Sequence, residues 1–320
     1  MFRYILKRIL QIIPLLIVIS FIVFSLIYLA PFDAIDAITT PNMSPHQVEL
    51  LKAKHGLDKP FLMQYLYWVK NILQGDFGVS IISQKPIAQE LAQRIPNTIS
   101  LVLPAYVTAF ILAIILGLWA ASHRGTWLDH LLDNINTLGI SMPPFWFAML
   151  MIYFLGYRLD LFPIVGMHSV GQEDSWVDFL QHFAMPYLVL VVAIFPDLSR
   201  YIRSSALGQL DEDYVQVQKS LGASKSGIFR RHISRNVLLP LVTQIGFALP
   251  MLVTGAIISE TIFQWPGVGP YFMSATKQLD YPVIMAVMLL SASLVIIGNL
   301  LADILYTIVD PRIRQGGQSA

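Results

Sequence analysis

The feature that most constrains this 320-residue sequence is a series of long apolar stretches with almost no charge inside them. A helix needs about 17 to 25 predominantly apolar residues to cross the hydrocarbon core of a bilayer. Five stretches meet this plainly: 9–30, 98–121, 135–157, 237–259 and 283–309. A sixth, 183–198, is marginal, because it is sixteen residues long and holds Pro186 and Pro196. Length alone leaves a re-entrant or interfacial course open to it. Backbone polar groups inside a bilayer must be satisfied within the protein, so stretches of this kind form helices. The fold class expected is an all-α integral membrane protein.

Charge asymmetry decides the sixth stretch, because Lys and Arg of short loops stay on the cytoplasmic side. With six transmembrane helices the inner segments are 1–8, 122–134, 199–236 and 310–320, and they carry thirteen of the 21 Lys and Arg. The short outer segments carry two, Arg158 and Lys277. If 183–198 did not cross, the seven cations of 199–236 would face outward. Six spans with both termini cytoplasmic is the arrangement that fits. The fourth helix is expected to run on to about residue 207, with Arg200 and Arg203 snorkelling at the interface. Arg3, Lys7 and Arg8 precede the first span as they would in a secretory signal. That apolar run is longer than the roughly 7 to 15 residues of a signal core, so an uncleaved anchor is expected.

The domain expectation follows. Residues 1–30 form the cytoplasmic N-terminus and first helix, 31–97 a small helical extracytoplasmic lobe, 98–310 the transmembrane domain and 311–320 a cytoplasmic tail. Within the transmembrane domain, helices are expected at about 98–121, 135–157, 183–207, 237–259 and 283–309, with a cytoplasmic loop at 208–236. In the lobe, Ser44 stands three residues before Gln47 with Pro45 between, a capping-box spacing with proline at the first helical position. Gly56 suits the end of that helix. A second helix starts at Pro60 and sets Phe61, Tyr65, Trp68, Val69 and Ile72 on one stripe. A third starts at Pro86, with Ile87, Leu91 and Ile95 on one face. The stripe fits packing against the spans better than docking of an outside partner, since an aromatic stripe at helical spacing is usually core.

On the opposite side, Asp211, Glu212 and Asp213 suit the start of a helix running through Lys219, and Gly222 its left-handed stop. Ser224 suits the cap of a second short helix, whose Ile228, Phe229 and Ile233 form an apolar strip. Three uses stay open on the residues alone: presentation of that ridge to a partner groove, contact with lipid headgroups, and packing under the bundle.

The net charge of +1 gives no global field for a polyanion, so a nucleic-acid partner is excluded. The absence of cysteine removes disulfides, thiolate metal sites and cysteine nucleophiles. The seven histidines are scattered without metal-ligand spacing, so no metal site is expected. The stretch Gly222–Gly227 only loosely resembles a phosphate loop, because Ile228 and Phe229 stand where Lys and Ser or Thr would contact phosphate and magnesium. No catalysis by this chain is expected. Pro143 and Pro144 interrupt the third span, and Gly246 with Pro250 the fifth, so both should kink along a pathway or at a packing site. Glu260, at the outer end of the fifth span, and Asp303, near the inner end of the sixth, read as border residues bonded to a neighbouring helix rather than a proton relay, and Glu260 joins Pro143, Pro144, Gly246 and Pro250 as a candidate for the pathway.

The loop DYVQVQKSLGASKSGIFRRHISRNVLLP resembles the E-A-A-x3-G region of permease subunits of bacterial ABC importers, specifically the dipeptide, oligopeptide and nickel family. Gly222, Ile228, His232, Asn236 and Pro240 stand where that pattern expects them, whereas Gln216, Val217 and Gln218 replace the E-A-A triplet. The stretches SETIFQWPGVG (259–269), LDYPVIMAV (279–287) and NLLADILYTIVDPRIR (299–314) follow the family. So do YILKRILQIIP, HGLDKPFLMQYLYWVKNILQGDFGVS and RIPNTISLVLPAY nearer the start. Pro31-Phe32-Asp33 departs from the Pro-Gly-Asp-Pro common in relatives.

The resemblance implies a type I ABC importer permease fold in the plasma membrane. It implies import of short peptides, or of nickel or another small solute by a relative of the same family. The partners it implies are a second, homologous permease subunit, two ATPase subunits inside and an extracellular substrate-binding protein. ATP and magnesium would be held by the ATPases and no cofactor by this chain. Leu221, Gly222, Ala223, Ser224, Ile228, Phe229, His232 and Asn236 would couple to an ATPase. An ion-coupled secondary carrier is the alternative from another class.

Overall fold

The computed structural model describes residues 2–29, 43–54, 56, 58–234, 236–237, 241 and 257–309. Among these the regular structure is helical, apart from one isolated antiparallel bridge between Val79 and Pro86. In chain order the helices are α1 (Phe2–Tyr28), α2 (Pro45–Lys54), α3 (Phe61–Leu73), α4 (Ile87–Ser122) and α5 (Trp127–Ser141). Next come α6 (Pro144–Met151, continued as a π-helical turn Ile152–Arg158), α7 (Trp176–Gln209) and α8 (Asp213–Ser220). Last are α9 (Lys225–Ile228, continued as Phe229–Ile233), α10 (Ile257–Ile262), α11 (Val268–Lys277) and α12 (Tyr281–Val309).

α4, α7 and the Tyr281–Ala302 part of α12 are each long and apolar enough to cross a membrane, and α5 with α6 qualifies as one broken span. α1 holds a further apolar stretch, Leu10–Leu26. Most of the expected fifth span, including Gly246 and Pro250, lies outside the described residues, as does the side chain of Asp303.

The centre of the molecule is the seam between α4 and α7. Ala105, Ala109, Ala113 and Gly117 recur every fourth residue of α4, and all are buried. Small residues at this spacing let helix backbones approach closely in a membrane protein, where dispersion contacts replace the hydrophobic effect. A Cβ on Gly117 would lie 2.9 Å from the Ser199 carbonyl oxygen of α7, so the contact is backbone against backbone.

Two expectations change. The third lobe helix and the second span are one uninterrupted rod, α4, that passes through Pro96 and Pro104. The boundary at 97 rested on the apolar run that begins at Thr98, but a change of composition does not end a helix, and one supported by neighbours carries Pro96 as well. The third span is broken rather than kinked: α5 and α6 meet at 98°. Met142 and Pro143 each precede a proline, and each is extended (φ −86°, ψ 117°; φ −60°, ψ 131°). The ring of a proline drives the residue before it out of the helical region, and two in succession abolish the turn.

In the lobe, Gln47 N donates to Ser44 Oγ (3.3 Å) and Ser44 N to Gln47 Oε1 (2.8 Å), completing the capping box. The α3 stripe packs on α1: Phe61 and Tyr65 meet Phe21 edge to face, Trp68 lies against Phe24, and the Tyr65 and Ser20 hydroxyls are 2.9 Å apart. Ile87 and Leu91 are buried against Val268, Ala275 and Val283 of α11 and α12.

Candidate functional site

α8 and α9 fold back under the end of α7. α8 closes in a full Schellman motif: Gly222 is left-handed (φ +79°), its N–H donates to Lys219 O at 3.0 Å, and Ala223 N donates to Gln218 O at 3.0 Å. This satisfies carbonyls that the end of a helix leaves open. Ser224 then caps α9, its Oγ accepting from Gly227 N at 3.2 Å. The turn between the two helices projects Leu221, Gly222, Ala223 and Ser224 into the open, with Leu221 75% and nearby Val217 54% exposed.

The rest of the apolar strip goes the other way. Ile228, Phe229 and Ile233 are buried with Val215, Ile202, Ala206 and Ala121. They hold the two short helices to α7 and α4 and do not form an open ridge. Sequence periodicity finds such a strip but not the side it faces. Of the other two candidates, His232 lies near the Tyr214 ring, and Asn236 Nδ2 donates to Gln209 Oε1 (3.1 Å), which also accepts from Tyr214 OH (2.8 Å). The open surface is therefore the tip at 221–224, and the other four residues anchor it.

From this anchor a polar line runs up between α5 and α7. Arg203 makes a two-pronged contact with Asp129, Nε to Oδ1 at 2.6 Å and a terminal nitrogen to Oδ2 at 2.8 Å. Gly125 N adds a third bond to Asp129 Oδ2 at 3.0 Å. Asp129 precedes the apolar part of α5 and is 1% exposed. The Arg203 hydrogen bond holds its carboxyl below the usual range, against the opposing effect of burial. Arg203 is thus paired with Asp129 and mostly covered. An isolated acid at the start of a helix facing a lone Arg was the available signal, but it needed the α5–α7 pairing to be read. Further along, Asn136 Nδ2 donates to Ser199 Oγ (3.1 Å), and Gly139 meets Pro196.

Above the bend, Pro143 and Pro144 set Phe145, Trp146 and Met149 outward, each about half exposed. Glu260, by contrast, is fully buried, on the helix α10 that packs against α6, its Oε2 accepting from Gly269 N at 2.8 Å. The structure therefore does not bring Glu260 onto the open surface with the bend residues. Among the described residues no group of three His, Asp or Glu is arranged to hold a metal ion.

Residues 113–315 match the family described as binding-protein-dependent transport system inner membrane component, and residues 1–102 match the N-terminal part of such components. The chain belongs to that family of membrane permeases.

Among particular relatives, the oligopeptide transport system permease protein AppB of Bacillus subtilis is 37% identical over 314 residues, covering 98% of this chain and 99% of that protein. The glutathione transport system permease protein GsiC of Escherichia coli K12 is 35% identical over the same coverage. Among solved structures, the inward-facing MetNI methionine ABC transporter superposes with a TM-score of 0.54 at 17% identity, over 69% of this chain and 96% of that one. That likeness concerns the fold.

Proposed function

We propose that this chain is one of two homologous membrane subunits of an ATP-driven importer of short peptides in the bacterial plasma membrane. The observation that carries the reading is end-to-end similarity to permeases named for oligopeptide and for glutathione, itself a short peptide. In this reading six helices cross the membrane, both termini are cytoplasmic and 31–97 is an extracytoplasmic lobe. A binding protein delivers the peptide at the outer side. Two ATPase subunits, which hold ATP and magnesium, sit at the inner side.

The tip at Leu221–Ser224 seats in an ATPase groove. Because Ile228, Phe229 and Ile233 pack on Ile202 and Ala206, a displacement of the tip moves α7. The Arg203–Asp129 pair and the Asn136–Ser199 bond pass it to α5 and the 98° break. Rigid elements with two packings are how such a movement opens one face and closes the other.

Reconstitution tests this. Gly222→Pro, or deletion of 223–226, is expected to insert and abolish ATP-dependent peptide uptake. Normal uptake in either variant overturns the coupling role. Uptake by the purified chain alone, driven by an ion gradient, overturns the importer in favour of a secondary carrier.

A further inference from the structure

The outer ends of α4, α7, α10 and α11 meet at one turn, Trp265–Gly269, and Glu260 lies at its centre. The Glu260 carboxyl is fully buried; its Oε2 accepts from Gly269 N, and both Oε2 and the Thr98 hydroxyl oxygen face Gly267. Thr98 Oγ1 in turn accepts from Val268 N at 2.9 Å. Trp265, also fully buried, donates from Nε1 to Asn97 O at 2.8 Å and from its backbone N–H to Glu260 O at 2.8 Å. Its ring lies against Phe179 and Phe183 of α7.

Both glycines of the turn answer to this carboxyl. A Cβ at Gly267 would overlap Glu260 Oε2 and Thr98 Oγ1, and one at Gly269 would lie 2.9 Å from Oε2. The other carboxyl oxygen, Oε1, is buried with no hydrogen-bond partner among the described residues. An unsatisfied buried acceptor costs about 1–3 kcal/mol, so a site needed only for packing is better filled by an aliphatic side chain.

Resting on the importer reading above, we propose that Glu260 is a positioning residue. It clamps the Trp265–Gly269 turn to α4 and so keeps the outer mouth closed until the binding protein delivers its peptide. The clamp joins the lobe-bearing end of α4 to the end of the fifth span, and the two move as one body.

The test uses the whole complex in proteoliposomes. Glu260→Gln keeps an acceptor for Gly269 N, Glu260→Leu removes it at similar volume, and Thr98→Val removes the acceptor for Val268 N at the same shape. Glu260→Gln is expected to match the wild type. The other two are expected to hydrolyse ATP several-fold faster without binding protein and to deliver several-fold fewer peptides per ATP. Their combination should lose no more than either alone, as for two parts of one network. Wild-type stoichiometry and binding-protein dependence in Glu260→Leu overturn the clamp, as does equal impairment in Glu260→Gln. If Glu260→Leu fails to assemble, Thr98→Val decides on the same readouts.

Absence of ATP-dependent uptake by the wild type speaks against the importer, not the clamp. The clamp is then read in the purified chain, which has no native cysteine, from the distance between spin labels at Asp174→Cys and Gln278→Cys. Glu260→Leu and Thr98→Val should broaden that distance and Glu260→Gln should not; an unchanged distance in all three overturns the clamp.

Discussion

Ser80 Oγ donates to Asp280 Oδ2 at 2.6 Å across 200 residues of sequence, and both residues are at least 97% buried. Asp280 Oδ1 also accepts from Ile81 N at 3.2 Å. The carboxylate thus ties the segment between α3 and α4 to the start of α12. A carboxylate taking both a hydroxyl and an amide is the stronger kind of hydrogen-bond acceptor.

Replacing Asp280 by Ala leaves two buried donors unpaired, at about 1–3 kcal/mol each. The expected outcome is release of the 76–86 segment with α4 and α12 still folded. Limited proteolysis in proteoliposomes should cut within 76–86 in Asp280→Ala and not in the wild type. Cleavage at wild-type rates would show that the apolar contacts of Ile87 and Leu91 hold the segment without the carboxylate.

The Asp129–Arg203 pair makes a prediction with a definite pH sense. Removing Arg203 alone strands a carboxylate that is 1% exposed, and breaking a buried pair this way costs about 3–5 kcal/mol. Arg203→Lys also loses stability, because an ammonium cannot reproduce the two-pronged contact. Since the folded-state pKa of Asp129 lies below the ordinary 3.8, its contribution is complete above that value and disappears as pH falls through the folded one. Thermal unfolding of wild type and the Asp129→Asn/Arg203→Gln double variant, followed from pH 7 downward, should give curves that converge only below about pH 4. A constant gap down to pH 3 removes the pair from the account of stability.

How much of this was legible beforehand depended on whether a signal was local. The Ser44–Gln47 box, the Gly222 stop and the Ser224 cap are local hydrogen-bond patterns, and each forms where its residues stand. The α3 stripe could be identified as packing, but not that it packs on Phe21 and Phe24. Ile228 and Phe229 were ambiguous, because an apolar strip on a four-residue helix suits a partner or its own bundle equally. Glu260 was read as a residue bonded to a neighbouring helix, and Gly269 of α11 supplies that bond. Its link to Gly267 and Gly269 was not readable, since a glycine's need for space is set by what faces it. Asp129 and Arg203 stand 74 residues apart and meet only after α5 and α7 have packed.

The Gly222 geometry gives a third prediction. A residue with a Cβ in the left-handed region costs about 1–2 kcal/mol, and at Gly222 no neighbour lies within 4 Å of an added Cβ. Gly222→Ala is therefore a backbone perturbation without a clash. It should raise amide exchange over 213–224 while leaving α7 protected, and Gly222→Asn should be milder because Asn tolerates that region. Equal exchange in wild type and Gly222→Ala would mean that the contacts of Val215 and Ile228 alone hold the tip.

The seam between α5 and α7 offers the sharpest packing test. A Cβ on Gly139 would sit 2.5 Å from Cγ of Pro196, and a proline ring inside a helix has no flexible end to move aside. Gly139→Ala must push α5 away from α7 next to the 98° break, and overpacking of this kind costs about 1–3 kcal/mol. Pro196→Ala removes the ring atom in the way and restores a backbone donor to α7. The double variant Gly139→Ala/Pro196→Ala should therefore be more stable than Gly139→Ala alone, giving a coupling of opposite sign to the single-site loss. Gly208→Ala serves as the control, because it lies in the same helix α7 with nothing within 4 Å of an added Cβ. It should raise stability by about 0.4–1 kcal/mol by restricting the unfolded chain. Additive effects at 139 and 196 in thermal unfolding would show that α5 approaches α7 without resting on that proline.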